Sequence, residues 1–378
     1  MTKNVFLIAG RTGGPYFPLP TFEKELSEAQ SIYIGVKGGF EDKMAKRHEK
    51  KIVFLPQAKF DLLSFRRFDN LQEFLIYIPV SLINLFWLAF SFLKCFYLNL
   101  RYKPKLIVST GSFLAVPVIY TNLITNKLKL TKTKIVVHQQ DPLPGMSNKL
   151  VAKHSNFTSV VFPYTKENYT VFQKSSVIPN PIEKEKYDFS KDEALEYLKK
   201  NRESIYNFFN NKAKQPIVLI FGGGSGAKKI NEWVYKDLKL LLKQFRIIHI
   251  TGLYQQNKDI SGDGYLQLDF LYEEMIYVMK LVDLVICRSG LASITELLQL
   301  QKPAYLIPLP YTHQELNAEL VNDYFYILEH GEEHKNIAQW TDIIYTTYPQ
   351  FFHNIKYPNQ EDNLEKLEDY FNCVRNFI

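Results

Sequence analysis

Two series of short, β-rich apolar runs, each run separated from the next by a helix-length stretch, constrain this chain more than any other feature. The first series is Val5 to Ala9, Ser31 to Val36, Leu106 to Ser109, Ile135 to His138 and Ser159 to Phe162. The second is Ile217 to Phe221, Ile247 to Thr251, Tyr265 to Leu268, Leu284 to Cys287 and Ala304 to Pro308. Strands alternating with helices predict an α/β fold with parallel sheets covered on both faces. Two such series in 378 residues predict two Rossmann-like, doubly wound domains. Between them stands Ile178-Pro179-Asn180-Pro181, where proline stiffens the chain, and then a charged helical stretch from Lys184 to Asn211. The expected domains are 1–180 and 181–350, with 351–378 as a C-terminal helical segment.

Charge divides the chain at the same place. Residues 1–180 carry 24 Lys and Arg against 11 Asp and Glu, and residues 181–378 carry 22 against 28, so a basic half is joined to an acidic one. The basic half calls for an anionic partner. Its basic residues Arg66, Arg67, Lys94, Arg101, Lys103 and Lys105 flank Phe74 to Leu93, a stretch without a formal charge. That context suits an anionic membrane surface better than nucleic acid, because no exposed stacking platform accompanies the charges. By length the stretch could span a bilayer, lie in its interface or pack in a core. Pro79 and Asn84 speak against a clean span, while Phe86, Trp87, Phe90 and Tyr97 suit the headgroup boundary. The amino-terminal run after Met1-Thr2-Lys3 is short and ended by Gly10, which reads as a first strand rather than a cleavable signal. Cys95, Cys287 and Cys373 lie far apart without metal-ligand spacing, and a reducing compartment fits them.

A glycine-rich loop follows the first strand of each series: Gly10-Arg11-Thr12-Gly13-Gly14-Pro15 and Gly222-Gly223-Gly224-Ser225-Gly226-Ala227. Neither has the spacing of the dinucleotide or Walker A fingerprint. Each reads either as a tight turn or as a phosphate cradle of backbone N–H groups. A third constellation, Cys287-Arg288-Ser289-Gly290-Leu291-Ala292-Ser293-Ile294-Thr295-Glu296, passes from a strand into a helix. It reads as a nucleotide clamp, with Gly290 allowing close approach, the helix N-terminus facing a diphosphate and Glu296 accepting ribose hydroxyls. The competing reading makes Ser293 a cap and Glu296 a solvated helix residue.

In order along the chain, residues 10–18, Thr110-Gly111-Ser112-Phe113, His138-Gln139-Gln140-Asp141, Pro144 to Lys149, Gly222 to Ala227, Cys287 to Glu296 and His313 to Ala318 resemble the MurG family. These are the bacterial UDP-N-acetylglucosamine:lipid I N-acetylglucosaminyltransferases. The resemblance implies a GT-B fold, a membrane-associated N-terminal domain for an undecaprenyl-linked lipid acceptor and a C-terminal domain for UDP-N-acetylglucosamine. It also implies inverting transfer that makes lipid II for peptidoglycan, at the cytoplasmic side of the cell membrane, with the protein held peripherally. Residue by residue it puts Thr12, Gly13 and Gly14 near the sugar and diphosphate, and Ser225 and Gly226 in the second loop. Phe270, Leu271 and Met275 would hold the uracil. Leu291, Ala292, Ser293, Ile294, Thr295 and Glu296 would form the phosphate and ribose clamp, and Arg288 and Gly290 just before it are also expected to bind substrate. Gln314 would contact the donor sugar, and Asn317 would support that loop.

The departures from the family pattern fall mainly on the acceptor side. Pro15 stands where a histidine is usual, Gln139 where a glutamate is, Asp141 where an asparagine is, and Glu183 where an arginine is. Gly224-Ser225 replaces the usual Ser-Gln. Proline takes no proton, so the candidates for a general base are Asp141 and His138, each of which also reads as a structural residue: a turn cap and a packed strand end. No Asp-X-Asp cluster occurs, and the expectation includes neither a metal nor a cofactor.

Overall fold

The computed structural model describes residues 3–10, 12–56, 71–211, 213–223, 226–252, 260–328, 340–351 and 357–378. They form two compact units, one of residues 1–182 with 363–378 and one of residues 183–362.

The first unit is built on seven strands: β1 (Asn4–Ile8), β2 (Gln30–Gly35), β3 (Ile52–Phe54), β4 (Leu106–Ser109), β5 (Lys134–Gln139), β6 (Phe157–Val160) and β7 (Ser176–Val177). They lie in the order β3-β2-β1-β4-β5-β6-β7, and every pair is parallel. Because side chains alternate across a strand, β1 divides its apolar residues between two cores. Phe6 and Ile8 pack with Cys95, Leu98, Val118 and Ile119 of the helices Leu71–Tyr102 and Ala115–Lys127. Val5 and Leu7 pack on the other face with Leu19, Phe22, Tyr370, Phe371 and Val374. With both faces covered, the central strands β1 and β4 read as near-continuous apolar runs rather than alternating ones, as buried parallel strands do.

The C-terminal helix Gln360–Arg375, to which the sequence assigned no partner, completes this second core. The Phe371 ring meets Phe22 edge-on at 5.2 Å, and Tyr370 stacks on Phe157 at 5.4 Å. Burial of aromatic rings of this size stabilises by about 1.5 to 3 kcal/mol each, which is why the chain's end folds with the first unit.

The second unit repeats the plan with six strands: β8 (Ile217–Phe221), β9 (Arg246–Ile250), β10 (Tyr265–Leu268), β11 (Leu284–Cys287), β12 (Ala304–Leu306) and β13 (Tyr326–Ile327). Their order is β10-β9-β8-β11-β12-β13, again with every pair parallel. Trp233 and Trp340 meet edge-on at 5.2 Å in its core. In both sheets the direction of winding reverses beside the first strand, between β1 and β4 and between β8 and β11. Crevices for ligands open at such reversals, at the carboxyl ends of the strands. Both glycine-rich loops leave the sheet there.

Candidate active site

In the first unit the loops after β1, β4 and β5 are tied together by side chains reaching main-chain carbonyls. A Cβ on Gly10 would stand 2.4 Å from Ser112 Oγ, so this loop approaches its neighbour only as glycine. Gly111, at φ +118°, also adopts a conformation that side chains disfavour. The Thr110 hydroxyl donates to the Pro15 carbonyl. Gln140 Nε2 donates to Gly14 O at 3.1 Å and to Thr110 O at 3.0 Å. Gln139 is equally committed, with Nε2 donating to Asp141 O and Oε1 accepting from Asn148 Nδ2, both at 2.6 Å. Thr12, Gly13, Gly14 and Asp141 thus belong to loops tied together at the carboxyl ends of β1, β4 and β5, and Asp141 is half-buried. The helix that begins in the glycine loop is only Gly13–Tyr16.

His138, the other expected base, is fully buried in the strand. Its Nδ1 lies 2.9 Å from Ser159 Oγ, and its Nε2 lies 3.1 Å from Asn180 Oδ1. Burial pushes its pKa down to about 4. A neutral imidazole with both nitrogens engaged inside the protein has the surroundings of the packed strand-end reading, and only Asp141 of the two candidates is accessible.

In the second unit, Gly222 leaves β8 so tightly that a Cβ would sit 2.2 Å from Ala227 Cβ. Gly223 and Gly226 take φ of +89° and +76°, and Gly226 N donates to Gly223 O at 2.9 Å. Ser225, with Gly224, lies outside the described residues. Across the winding reversal, β11 runs into the helix Leu291–Gln299, whose N-cap is Gly290, with open space where a Cβ would be. Ser293 is therefore not the cap. Leu291, Ile294 and Leu297 face the core, which leaves Ile294 only its backbone to offer a ligand, whereas Ala292, Ser293, Thr295 and Glu296 are half-buried. Thr295 Oγ1 bonds back to Leu291 O at 2.8 Å.

Arg288, expected among the substrate-binding residues, has one end of its guanidinium on the main chain. Its Nη1 donates to the carbonyls of Ile307 and Pro308 at 3.1 and 3.0 Å. Two further ties hold the same corner: Ser289 Oγ donates to Gln314 O at 2.7 Å, and Asn317 Nδ2 donates to Ser289 O at 3.0 Å. Asn317 is fully buried in this supporting position. Gln314 is half-buried and accepts from Leu309 N at Oε1, 3.1 Å away. At the end of β10, Leu271 is buried, while Phe270 and Met275 are half-buried, with Phe270 packed on Tyr272 at 4.5 Å. Glu183, where the family has arginine, pairs with Lys186.

Glu296 is not a solvated helix residue. Tyr187 donates its hydroxyl to Glu296 Oε1 at 3.2 Å, and burial raises the carboxyl's pKa to about 7, an effect that this hydrogen bond opposes. Sequence reasoning missed Tyr187, which is 109 residues from its partner in the chain. It also passed over Gln140 and Thr110 as working parts, although both sit inside motifs it had quoted.

Among the described residues no three His, Cys, Asp or Glu side chains come together as a metal-ligand set, and no helix is long and apolar enough to cross a membrane.

Residues 5–158 match the glycosyltransferase family 28 N-terminal domain, and residues 217–341 match its C-terminal domain. The chain is 32% identical over 346 residues to the UDP-N-acetylglucosamine--N-acetylmuramyl-(pentapeptide) pyrophosphoryl-undecaprenol N-acetylglucosamine transferase of Clostridium tetani, covering 89% of this chain and 88% of that protein. The Staphylococcus aureus (strain Newman) protein of the same name is 28% identical over 311 residues, or 82% of this chain and 79% of that one. Among solved structures, Acinetobacter baumannii MurG superposes with a TM-score of 0.62 at 18% identity, over 93% of this chain and 91% of that one. The UDP-GlcNAc 2-epimerase of Neisseria meningitidis bound to UDP-GlcNAc gives 0.57 at 17% identity, over 97% and 100%. At such identities a superposition speaks for the GT-B fold alone, which hosts more than one reaction. The sequence matches, running through both sheets and through the loops at both winding reversals, decide the family: this chain belongs to glycosyltransferase family 28 and is a divergent member of its MurG branch.

Proposed function

We propose that this enzyme transfers N-acetylglucosamine from UDP-N-acetylglucosamine to the undecaprenyl-linked lipid I, making lipid II for peptidoglycan, while held peripherally at the cytoplasmic side of the membrane. The observation that carries the reading is the 32% identity over nearly the full length of a transferase named for this reaction. In one displacement, an acceptor hydroxyl oxygen bonds to the anomeric carbon, the bond from that carbon to the UDP oxygen breaks, and the hydroxyl proton passes to a base. Asp141 is that base. The leaving diphosphate is met by backbone N–H groups of the loop at Gly222 to Ala227 and of the helix start at Leu291. Phe270, Leu271 and Met275 hold the uracil, Glu296 takes the ribose hydroxyls, and Gln314 meets the donor sugar through Nε2, since its Oε1 is engaged by Leu309. Arg288 and Asn317 keep this corner in shape.

Incubation of the purified enzyme with UDP-N-acetylglucosamine and lipid I, followed by mass analysis of the lipid, tests the reading. One added N-acetylglucosamine per lipid is expected. Donor binding without transfer would indicate a noncatalytic UDP-sugar-binding protein. Transfer only to diacylglycerol or to another polyprenyl-linked glycan would move the acceptor assignment.

Donor binding is expected to depend on pH. A carboxylate accepts hydrogen bonds from both ribose hydroxyls, and the protonated acid does so poorly. With the Glu296 pKa at about 7, affinity for UDP-N-acetylglucosamine rises about tenfold from pH 6 to pH 8 as the carboxyl ionises. This ligand is the right probe because its diphosphate is esterified at both ends and does not titrate in that range. Calorimetry at several pH values reads the effect, and Glu296→Gln should flatten it.

The helix Leu71–Tyr102 supports the membrane contact. Phe86, Phe90, Leu93 and Tyr97 recur at helical spacing on one exposed face with Trp87 beside them, and Phe86 and Leu93 are 64% and 70% exposed. Lys94 and Arg101 lie on the same helix. Vesicles containing anionic lipid should therefore bind the protein and shift Trp87 fluorescence to the blue. Added salt should weaken the binding only in part, because the apolar insertion is not screened. Phe90→Ala should lower vesicle affinity by about tenfold, near the lower end of what burying that ring contributes. Equal binding to neutral and anionic vesicles at all salt concentrations would remove the electrostatic part of this reading.

A further inference from the structure

Gln140 follows directly on β5 and is only 6% exposed, yet its partners are two carbonyls from different loops. Gly14 O belongs to the loop after β1 and Thr110 O to the loop after β4, the strands that flank the winding reversal of the first sheet. A carboxamide carries two N–H donors and serves both acceptors without a charge. Glutamate at this position would present acceptors to acceptors, and methionine would present no donor. The Thr110 hydroxyl on the Pro15 carbonyl makes a second tie between the same two loops. The carbonyls of Gly14, Pro15 and Thr110 are thus all drawn to polar groups of the neighbouring loops. Across a trans peptide the C=O and the following N–H point in opposite directions. Holding Thr110 O therefore turns Gly111 N–H away from Gln140, in a loop that Gly111 completes at φ +118°.

We propose that Gln140 is a positioning residue for the acceptor: it locks the Gly10–Pro15 and Thr110–Ser112 loops into the one arrangement in which their backbone meets the diphosphate of the lipid. Thr110 assists it. The inference rests on the transfer reaction proposed above. Pro15 itself is tolerated because it lies in the first turn of the helix Gly13–Tyr16, where no intrahelical carbonyl awaits its N–H, and its own carbonyl still accepts from Thr110.

The test uses the full-length enzyme with UDP-N-acetylglucosamine and lipid I. Gln140→Met keeps the side chain's length and removes the donors. Its KM for lipid I should rise about 10- to 100-fold, the scale on which small misplacements in a reacting site act. UDP affinity by calorimetry should stay within about twofold, because the residues assigned above to the uracil, the ribose and the leaving diphosphate belong to the other unit. Gln140→Glu should be as impaired as Gln140→Met at pH 8. Relative to wild type at each pH, it should recover in part as the pH falls, since a protonated carboxyl offers one donor; Gln140→Met should show no such recovery. If neither variant folds, Thr110→Val and Thr110→Ser ask the same question, with loss expected for the first and rescue for the second. An unchanged lipid I KM in folded Gln140→Met, or superimposable relative pH profiles for the two Gln140 variants, overturns the inference while an active wild type keeps the functional reading intact. A wild type that transfers nothing to lipid I sinks that reading and this inference with it.

Discussion

Asp141→Asn is expected to lower turnover by roughly 100- to 10,000-fold while UDP affinity stays nearly constant, the signature of a lost general base. Three observations bear on this residue. Pro15 occupies the loop position from which the family's histidine is missing, so the glycine loop supplies no titratable side chain there. His138 is sealed in the strand between Ser159 and Asn180, and burial keeps it neutral without an exposed nitrogen. Gln139, in the place of the usual glutamate, is consumed in bracing the turn, and one of its bonds is to the main-chain carbonyl of Asp141 itself. That leaves Asp141 as the candidate, a half-buried carboxylate one residue beyond the amide that ties both neighbouring loops. Asparagine preserves the size and hydrogen-bonding capacity of the side chain and removes its basicity, so a turn-capping role would survive the substitution and turnover would be close to normal. Steady-state rates with saturating lipid I, together with UDP calorimetry, separate the outcomes. Near-normal turnover rejects Asp141 as the base and leaves the proton to solvent.

The division into two parallel sheets was legible because a strand buried on both faces must be apolar at every position, and such runs ended by glycine stand out from helical stretches. The strands that went unread are those for which this condition fails. Ile52–Phe54, Ser176–Val177 and Tyr326–Ile327 are two or three residues long, half-buried and at or near sheet edges, so their identity depends on a neighbour already in place. The C-terminal helix shows the same limit. Its apolar residues Tyr370, Phe371 and Val374 announce a buried face, and nothing local says that Phe22 and Phe157 will cover it. At the site, Gly10 and Gly222 make the tight turns that were one of the two readings of their loops, since neither has room for a Cβ. Partners that lie far along the chain were not legible. Arg288, expected among the substrate-binding residues, gives Nη1 to carbonyls 19 and 20 residues away, and Tyr187 reaches Glu296 across 109 residues. Residue type reports what chemistry is available, and only the fold decides whether a ligand or the protein uses it.

Glu296→Ala should weaken UDP binding by roughly 1 to 3 kcal/mol, about 5- to 150-fold, the range for hydrogen bonds to a charged group. Alanine alone overstates the contribution of the contact, because it also strips the buried Tyr187 hydroxyl of its acceptor. Glu296→Gln keeps a single side-chain oxygen to accept from Tyr187 or a ribose hydroxyl and puts an NH2 group in place of the other, so it should lose less than alanine while abolishing the pH dependence. Tyr187→Phe makes the complementary change. It leaves the carboxylate free for the ribose and removes the one hydrogen bond that pulls the Glu296 pKa downward against burial. The carboxyl should then ionise at higher pH, and the midpoint of the rise in UDP-N-acetylglucosamine affinity should move upward from its wild-type value near 7. Affinity at pH 6 should fall further than affinity at pH 8.5. A structural role for Glu296, holding Tyr187 and touching no ribose, gives a different pattern: Glu296→Gln would bind UDP as tightly as wild type, and all variants would share one flat pH profile. That pattern in folded proteins would remove Glu296 from the donor site.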